Sequence, residues 1–171
     1  FSRKSDTAHQ MCYTSTGLLA QVVKDAREYF DGKGLKYRSE GGVDWYGIGP
    51  CDTMDWCTCS NCAALLVEND PALGFANRRA SRLVWTFASA VAREVAKTHP
   101  GKQIACYAYA DYTAFPAGVD LATNMYVVPA MFTRSWLTDS YPESLMYEDW
   151  QRQFPGRLMS MWIYPCFPVE T

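Results

Sequence analysis

The chain lacks several features that would assign it to a common class of protein. It has only 2 histidines in 171 residues, His9 and His99, so no pairing of histidine with cysteine for nucleophilic catalysis is visible. It contains neither a G-x-G-x-x-G nor a G-x-x-x-x-G-K-S/T motif, so a nucleotide-binding Rossmann or P-loop fold has no support. No apolar run approaches the roughly 20 residues of a membrane span. The net charge of -2, without a block of like charges, argues against a nucleic-acid surface.

What is present indicates a globular protein with a real core. Hydrophobic residues make up 49% of the chain and aromatic residues 15%. The chain starts at Phe1 rather than at a methionine, and it stops soon after an apolar segment. We therefore expect residues 1–171 to be a single domain cut from a longer protein at both ends.

Helical and strand-like segments alternate along the chain. Apolar residues at helical spacing predict helices over 15–31, 75–98 and 141–152, and short apolar runs predict strands over 44–49, 103–109, 125–128 and 158–164. Alternation of this kind is typical of parallel βαβ units, and continuous apolar strands are expected where both sheet faces are covered. We therefore expect an α/β fold, with a long loop over 50–74 of the kind that is usually functional or crosslinked.

The segments that follow the predicted strands hold the candidate site, because ligands of parallel α/β folds bind at the carboxyl ends of the strands. These segments combine a few acids with many aromatic rings, a mixture that suits carbohydrate. Rings stack on sugar C–H faces, while carboxylates bind hydroxyls or move protons. The candidate catalytic acids are Asp52 and Asp111, and the candidate substrate-binding residues are Tyr109, Arg134, Trp136, Trp162 and Tyr164. The alternative is that the rings simply fill the mouth of a barrel.

Asp52 is the best single candidate for chemistry. It follows Gly49 and Pro50, where the chain must turn after a strand. A carboxylate there would be a general acid, a general base or an electrostatic stabiliser. It would equally serve as a turn residue that accepts backbone N–H groups. Asp111 is the weaker candidate, with a loop cap or a solvated acid as its alternative.

Seven cysteines are present, and Cys57, Cys59 and Cys62 form a tight cluster. Four thiolates make a closed tetrahedral zinc site, so this cluster predicts a structural zinc with Cys12 or Cys51 as the fourth ligand, Cys12 being preferred. The rival is a set of disulfides, which an exported protein would form. Either crosslink would pin the long loop, and neither is required for catalysis as a cofactor.

Several of these motifs together resemble the DUF4838 family, which overlaps glycoside hydrolase family 163. The resemblance covers roughly residues 10–165. It rests on the lead Gln10-Met11-Cys12-Tyr13-Thr14, on the turn Gly49-Pro50-Cys51-Asp52 with the cysteines that follow it, and on the strand elements Ala108-Tyr109 and Trp162-Ile163-Tyr164.

The resemblance implies a (β/α)8 barrel, of which this chain would supply about four parallel strands with their helices. It also implies hydrolysis of glycosidic bonds in N-acetylhexosamine-containing glycans, assisted by the acetamido group of the substrate, which is an exception to the usual two-carboxylate scheme. The partner would be a carbohydrate or glycan, and the location secreted or periplasmic.

The chain departs from the family pattern at three places. Cys51 stands where an asparagine is usual, Ile163 replaces an acid, and the segment 128–132 carries no acid. The incomplete acid set leaves a second function open, a non-catalytic carbohydrate-binding barrel that kept its aromatic platform.

Overall fold

Helices and strands alternate along the chain in the computed structural model, which describes residues 9–33, 44–68, 76–132, 142–159 and 162–164. The elements in chain order are α1 (Thr16–Phe30), β1 (Trp45–Ile48), α2 (Ser60–Ala63), α3 (Ser81–Ala96), β2 (Gln103–Ala108), β3 (Met125–Phe132), α4 (Pro142–Gln153) and β4 (Trp162–Tyr164). No helix in these stretches is long and apolar enough to cross a bilayer.

The strands form one parallel sheet in the order β1-β2-β3-β4. Trp45 lies opposite Gln103 at the start of β1, and Ile104 lies opposite Met125 between β2 and β3. The predicted α/β class with parallel strands is confirmed. Because every strand runs the same way, the loops after β1 and β2 emerge at the same edge of the sheet.

Helix α3 is the centre of the core. Its residues Leu83, Trp85, Val91 and Val95 are at most 1% exposed, and the helix packs on α1 and on β2. The Trp85 ring lies 4.6 Å from the ring of Trp150, centroid to centroid, which joins α3 to α4. Burying this apolar stripe is what fixes the helix against the sheet.

Helix α3 begins at Ser81, later than the predicted start at residue 75. Residues just before it bond to the segment after β2: the Asn77 N–H donates to the Ala110 carbonyl at 3.0 Å, and the Ala80 N–H donates to the Asp111 carbonyl at 2.7 Å. These tertiary bonds take the place of helical ones, so the chain enters the helix late. They also join the two loops at the carboxyl edge of the sheet.

The two faces of the sheet differ. Ile104, Met125 and Val127 are fully buried on the face that packs against the helices. On the other face Trp45 is 46% exposed and Tyr107 is 39% exposed. The described residues therefore leave Trp45 and Tyr107 partly open on this face, although Ala105 between them is 2% exposed. Strand pairing still gives each strand its register, because one face is buried.

Candidate metal centre and carboxylate site

Four cysteines come together beside the carboxyl end of β1. Cys12 precedes α1, Cys57 and Cys59 lie in the loop after β1, and Cys62 lies in α2. Their Sγ atoms are all within 4.8 Å of one another. The structure thus brings together the four predicted ligands and leaves Cys51, the alternative fourth ligand, exposed outside the cluster.

The sulfur spacing is compatible with a metal ion. The Cys12 Sγ lies 3.7 Å from the Cys59 Sγ and 3.8 Å from the Cys62 Sγ. A zinc ion with four bonds of about 2.3 Å to sulfur sets the sulfurs about 3.8 Å apart, whereas a disulfide requires about 2.05 Å. The donor set and its spacing are therefore compatible with a closed, four-coordinate metal site.

Local backbone geometry aims these sulfurs inward. Cys59 is the N-cap of α2, and its Sγ accepts the Cys62 N–H at 3.4 Å. The Thr14 hydroxyl lies 3.3 Å from the Cys62 Sγ and 3.5 Å from the Cys12 Sγ. The N–H of Cys62 and then the hydroxyl of Thr14 lower the pKa of Cys59 to about 6, and Thr14 also lowers the pKa of Cys12. Cys12 and Cys59 thus favour the thiolate form that metals require. The pKa values of the other two thiols are raised. Desolvation raises the pKa of Cys62, and although the hydrogen bond with the Cys59 backbone lowers the pKa of Cys57, burial and the neighbouring thiols outweigh it and raise that pKa to about 12.

Gln10 fixes the segment that carries Cys12 to the loop after β1. Its side-chain amide donates to the carbonyls of Cys51 and Thr53, both at 2.6 Å, and its Oε1 accepts the Cys51 N–H at 3.1 Å. The Gln10 N–H also donates to the Asp55 carbonyl at 2.9 Å. This buried side chain ties the segment that carries Cys12 to the loop after β1, and it was not among the residues predicted for the site. In the sequence, only the position of Gln10 two residues before Cys12 indicates that it could belong to the site.

Asp52 lies exposed in the turn after β1. The backbone closes this turn without it, because the Thr53 N–H donates to the Cys51 carbonyl at 2.8 Å. Thr53, rather than Asp52, receives a backbone N–H through its side chain, from Asp55 at 3.2 Å. Within the described residues, the Asp52 carboxylate accepts no hydrogen bond. The turn-capping interpretation of Asp52 thus finds no support here, and its carboxylate is left open to solvent at the edge of the sheet.

Asp111 is placed quite differently, in a 3-10 turn (Ala110–Tyr112) that follows β2. It is 1% exposed, and its Oδ2 accepts the indole N–H of Trp56 at 2.6 Å. Its Oδ1 is buried and has no partner among the described residues. Burial raises the pKa of Asp111, opposed by the Trp56 hydrogen bond and by the charge of Arg79. This position suits holding the loop after β1 more than touching a substrate.

The turn that carries Asp111 is strained. Ala110 has a φ of 49°, in the left-handed region that residues with a Cβ rarely adopt. Its carbonyl accepts both the Asn77 N–H and the Thr113 hydroxyl, the latter at 2.7 Å. These bonds hold the turn in place, and with it the Asp111 side chain that points back to Trp56.

The predicted aromatic platform is described only in part. Tyr109 is half-buried and packs edge to face on Tyr112 at 6.2 Å between ring centroids. Trp162 and Tyr164 lie in β4, and their side chains are outside the described part of the chain. Arg134 and Trp136 fall outside the described residues. The substrate-binding role of all five residues remains a prediction.

A family model described as a domain of unknown function, DUF4838, matches residues 2–155. Neither a curated protein nor a solved structure matches the chain.

Proposed function

The chain belongs to the DUF4838 family, and from that premise we propose that it is part of a glycosidase-like domain. Its reaction is hydrolysis of glycosidic bonds in glycans that contain N-acetylhexosamine. The observation that carries this proposal is the exposed carboxylate of Asp52 at the carboxyl edge of an all-parallel sheet, beside a cluster of four cysteines. That edge is where parallel α/β folds bind their ligands.

The sheet is proposed to be part of a (β/α)8 barrel. Two features support this: the sequential parallel order of the four strands, and the exposed apolar face that carries Trp45 and Tyr107. In a closed barrel that face points inward and is filled by layers of side chains. The barrel proposal and the activity proposal are independent, since the same fold hosts many chemistries.

In the proposed reaction Asp52 contacts the substrate and Asp111 is a positioning residue. The Asp52 carboxylate is exposed and can reach a bound glycan, so it is suited to act as a base or to orient the acetamido group that attacks the anomeric carbon. Asp111 acts through Trp56, which it binds at 2.6 Å and which directly precedes Cys57. The loop that carries Asp52 is thereby anchored at its far side.

The cysteine cluster is proposed to hold a structural zinc. Cys12, Cys57, Cys59 and Cys62 would be its ligands, and four thiolates leave no open position for a substrate. The ion would supply a crosslink between the segment before α1 and the loop after β1. Metal binding would then be coupled to the order of this loop.

Full-length protein and a panel of N-acetylhexosamine-containing glycans test the activity. We expect Asp52→Asn to lower turnover by about 100-fold or more, because a positioned carboxylate contributes about that much to proton transfer. Asp44→Asn is the matched control: Asp44 is also exposed, but it lies at the opposite end of the same strand. Equal turnover by the Asp52→Asn and wild-type proteins would remove Asp52 from the reaction.

Elemental analysis together with a thiol count tests the metal. We expect about one zinc per chain, lost in Cys59→Ser and kept in Cys51→Ser, since Cys51 is in the same loop but outside the cluster. A chelator should then increase protease cleavage in the loop after β1. Protein without zinc, with few free thiols and a loop that responds to reductant alone, would establish disulfides instead.

A non-catalytic carbohydrate-binding barrel is the second candidate. The burial of Asp111 favours it, because that leaves Asp52 as the one exposed member of the predicted acid pair. The same glycan panel separates the two candidates: saturable binding without any released sugar supports the binding module.

A further inference from the structure

A groove lies at the start of α3, away from the cysteine cluster. It is bounded by the first turn of α3, by the segment 114–118 and by α4, and it has a volume of about 820 Å³. We call it the α3 groove. The residues that matter here are Arg78, Ser81 and Arg82 on the α3 side, and Asp149 and Arg152 on α4.

The first turn of α3 offers positive potential to this groove. The helix is 16 residues long, and its N-cap, Ala80, has no side-chain hydrogen bond to the first turn. An uncapped helix N-terminus presents backbone N–H groups and the positive end of the helix dipole, a combination that attracts anions.

Ser81 gives an independent sign of a missing ligand. Its side chain lines the groove, is 2% exposed, and its Oγ has no partner among the described residues. Buried hydroxyls in folded proteins are nearly always bonded, because an unmade bond leaves the cost of desolvation uncompensated. A group that enters the groove and accepts a hydrogen bond would satisfy it.

The charges on the groove wall point to an anion. Arg78 and Arg82 are exposed, and among the described residues neither makes an ion pair. Asp149, the acid on the wall, already binds Arg152 at 2.5 Å. Within the described residues, the wall therefore carries two guanidinium groups without an ion-pair partner, and a planar guanidinium group suits oxygen anions.

We propose that the α3 groove binds a tetrahedral oxyanion, as the phosphate or sulfate group of a ligand. Arg78 and Arg82 contact its oxygens, and the Ser81 hydroxyl donates a hydrogen bond to it. The groove contains neither Asp52 nor any of the clustered cysteines, so this proposal does not depend on the glycosidase proposal.

The test is titration of the full chain with inorganic phosphate and with sulfate, against chloride at matched ionic strength, followed by calorimetry. We expect saturable binding of at least one anion, weakened about tenfold or more in Arg78→Gln and in Arg82→Gln. Lys97→Gln, which makes the same charge change at the other end of α3, should leave affinity unchanged.

Ser81→Ala separates binding from folding. It should weaken the anion while keeping or raising the melting temperature, because it removes a buried hydroxyl without a partner. A preference for phosphate that grows as pH rises through about 7, where inorganic phosphate becomes a dianion, would identify a phosphate ligand. Tighter binding of sulfate would identify a sulfate ligand. Binding of neither anion beyond chloride, or full affinity in both arginine variants, would overturn the proposal.

Discussion

A Trp56→Phe substitution removes one hydrogen bond to a buried carboxylate while keeping an aromatic ring in place. The Trp56 indole donates to Asp111 Oδ2 at 2.6 Å, and Trp56 is 4% exposed. A hydrogen bond to a charged group contributes about 1.5–3 kcal/mol, and leaving the acceptor buried adds to the loss. Phenylalanine can keep much of the edge-to-face packing on Tyr13 and Tyr112. We expect the free energy of unfolding to fall by about 2–4 kcal/mol.

The loss should depend on pH. It is largest where Asp111 is ionised, since the indole N–H stabilises the carboxylate more than the protonated acid. Trp85→Phe is the matched control: the Trp85 indole is fully buried and donates to a neutral acceptor, the Tyr112 carbonyl, at 3.1 Å. Its cost should therefore be nearly constant with pH.

Urea unfolding followed by circular dichroism from pH 5 to pH 8 measures both losses. A double-mutant cycle of Trp56→Phe with Asp111→Leu, in which leucine cannot accept the indole N–H, should give a coupling energy of about 1.5–3 kcal/mol. A coupling below about 0.5 kcal/mol would refute the reasoning, as would the same pH dependence in Trp85→Phe.

Three further outcomes follow from burial. Burial raises the pKa of Asp111 in the folded protein. The free energy of unfolding of the wild-type protein should therefore fall as pH rises from about 4 through that pKa. Asp111→Asn should remove this fall in a pH series of unfolding curves. Leu83→Ala should cost about 2–5 kcal/mol, because Leu83 is 1% exposed, whereas Leu145→Ala, at 66% exposure, should change stability by less than about 0.5 kcal/mol in the same assay. A thiol reagent should modify the exposed Cys51 quickly and Cys106 only on unfolding, because burial raises the pKa of the Cys106 thiol to about 12. Rapid modification of Cys106 in folded protein would contradict its buried position.

Periodicity predicted the elements that local physics controls. Helix α1 begins after Ser15, whose side chain accepts the Leu18 N–H at 3.3 Å. This capping bond joins residues three positions apart, so the sequence nearby is enough to predict it. The late start of α3 could not be predicted in this way. It depends on bonds from Asn77 and Ala80 to the turn after β2, and no local pattern encodes them.

The candidate site likewise has a part that local sequence predicts and a part that depends on contacts between distant segments. Three of the clustered cysteines are neighbours in sequence, so their meeting was predictable. The segment that brings Cys12 to them is fastened to the loop by Gln10, whose side chain donates to the carbonyls of Cys51 and Thr53. Composition and spacing are silent about such a contact, because it forms only when two distant segments dock.

Trp56 connects the two parts of the candidate site. It directly precedes Cys57, a member of the cluster, and it donates to Asp111 in the turn after β2. A displacement of the Cys57 backbone must therefore move the indole, and with it the only hydrogen bond to the Asp111 carboxylate within the described residues. If the cysteines hold a metal, its removal should reach the strained turn at Ala110 through this side-chain bond, which acts beside the backbone bonds from Asn77 and Ala80 to the same turn. We therefore expect the order of the loop after β1 and the protonation of Asp111 to change together, because both depend on the position of the Trp56 indole.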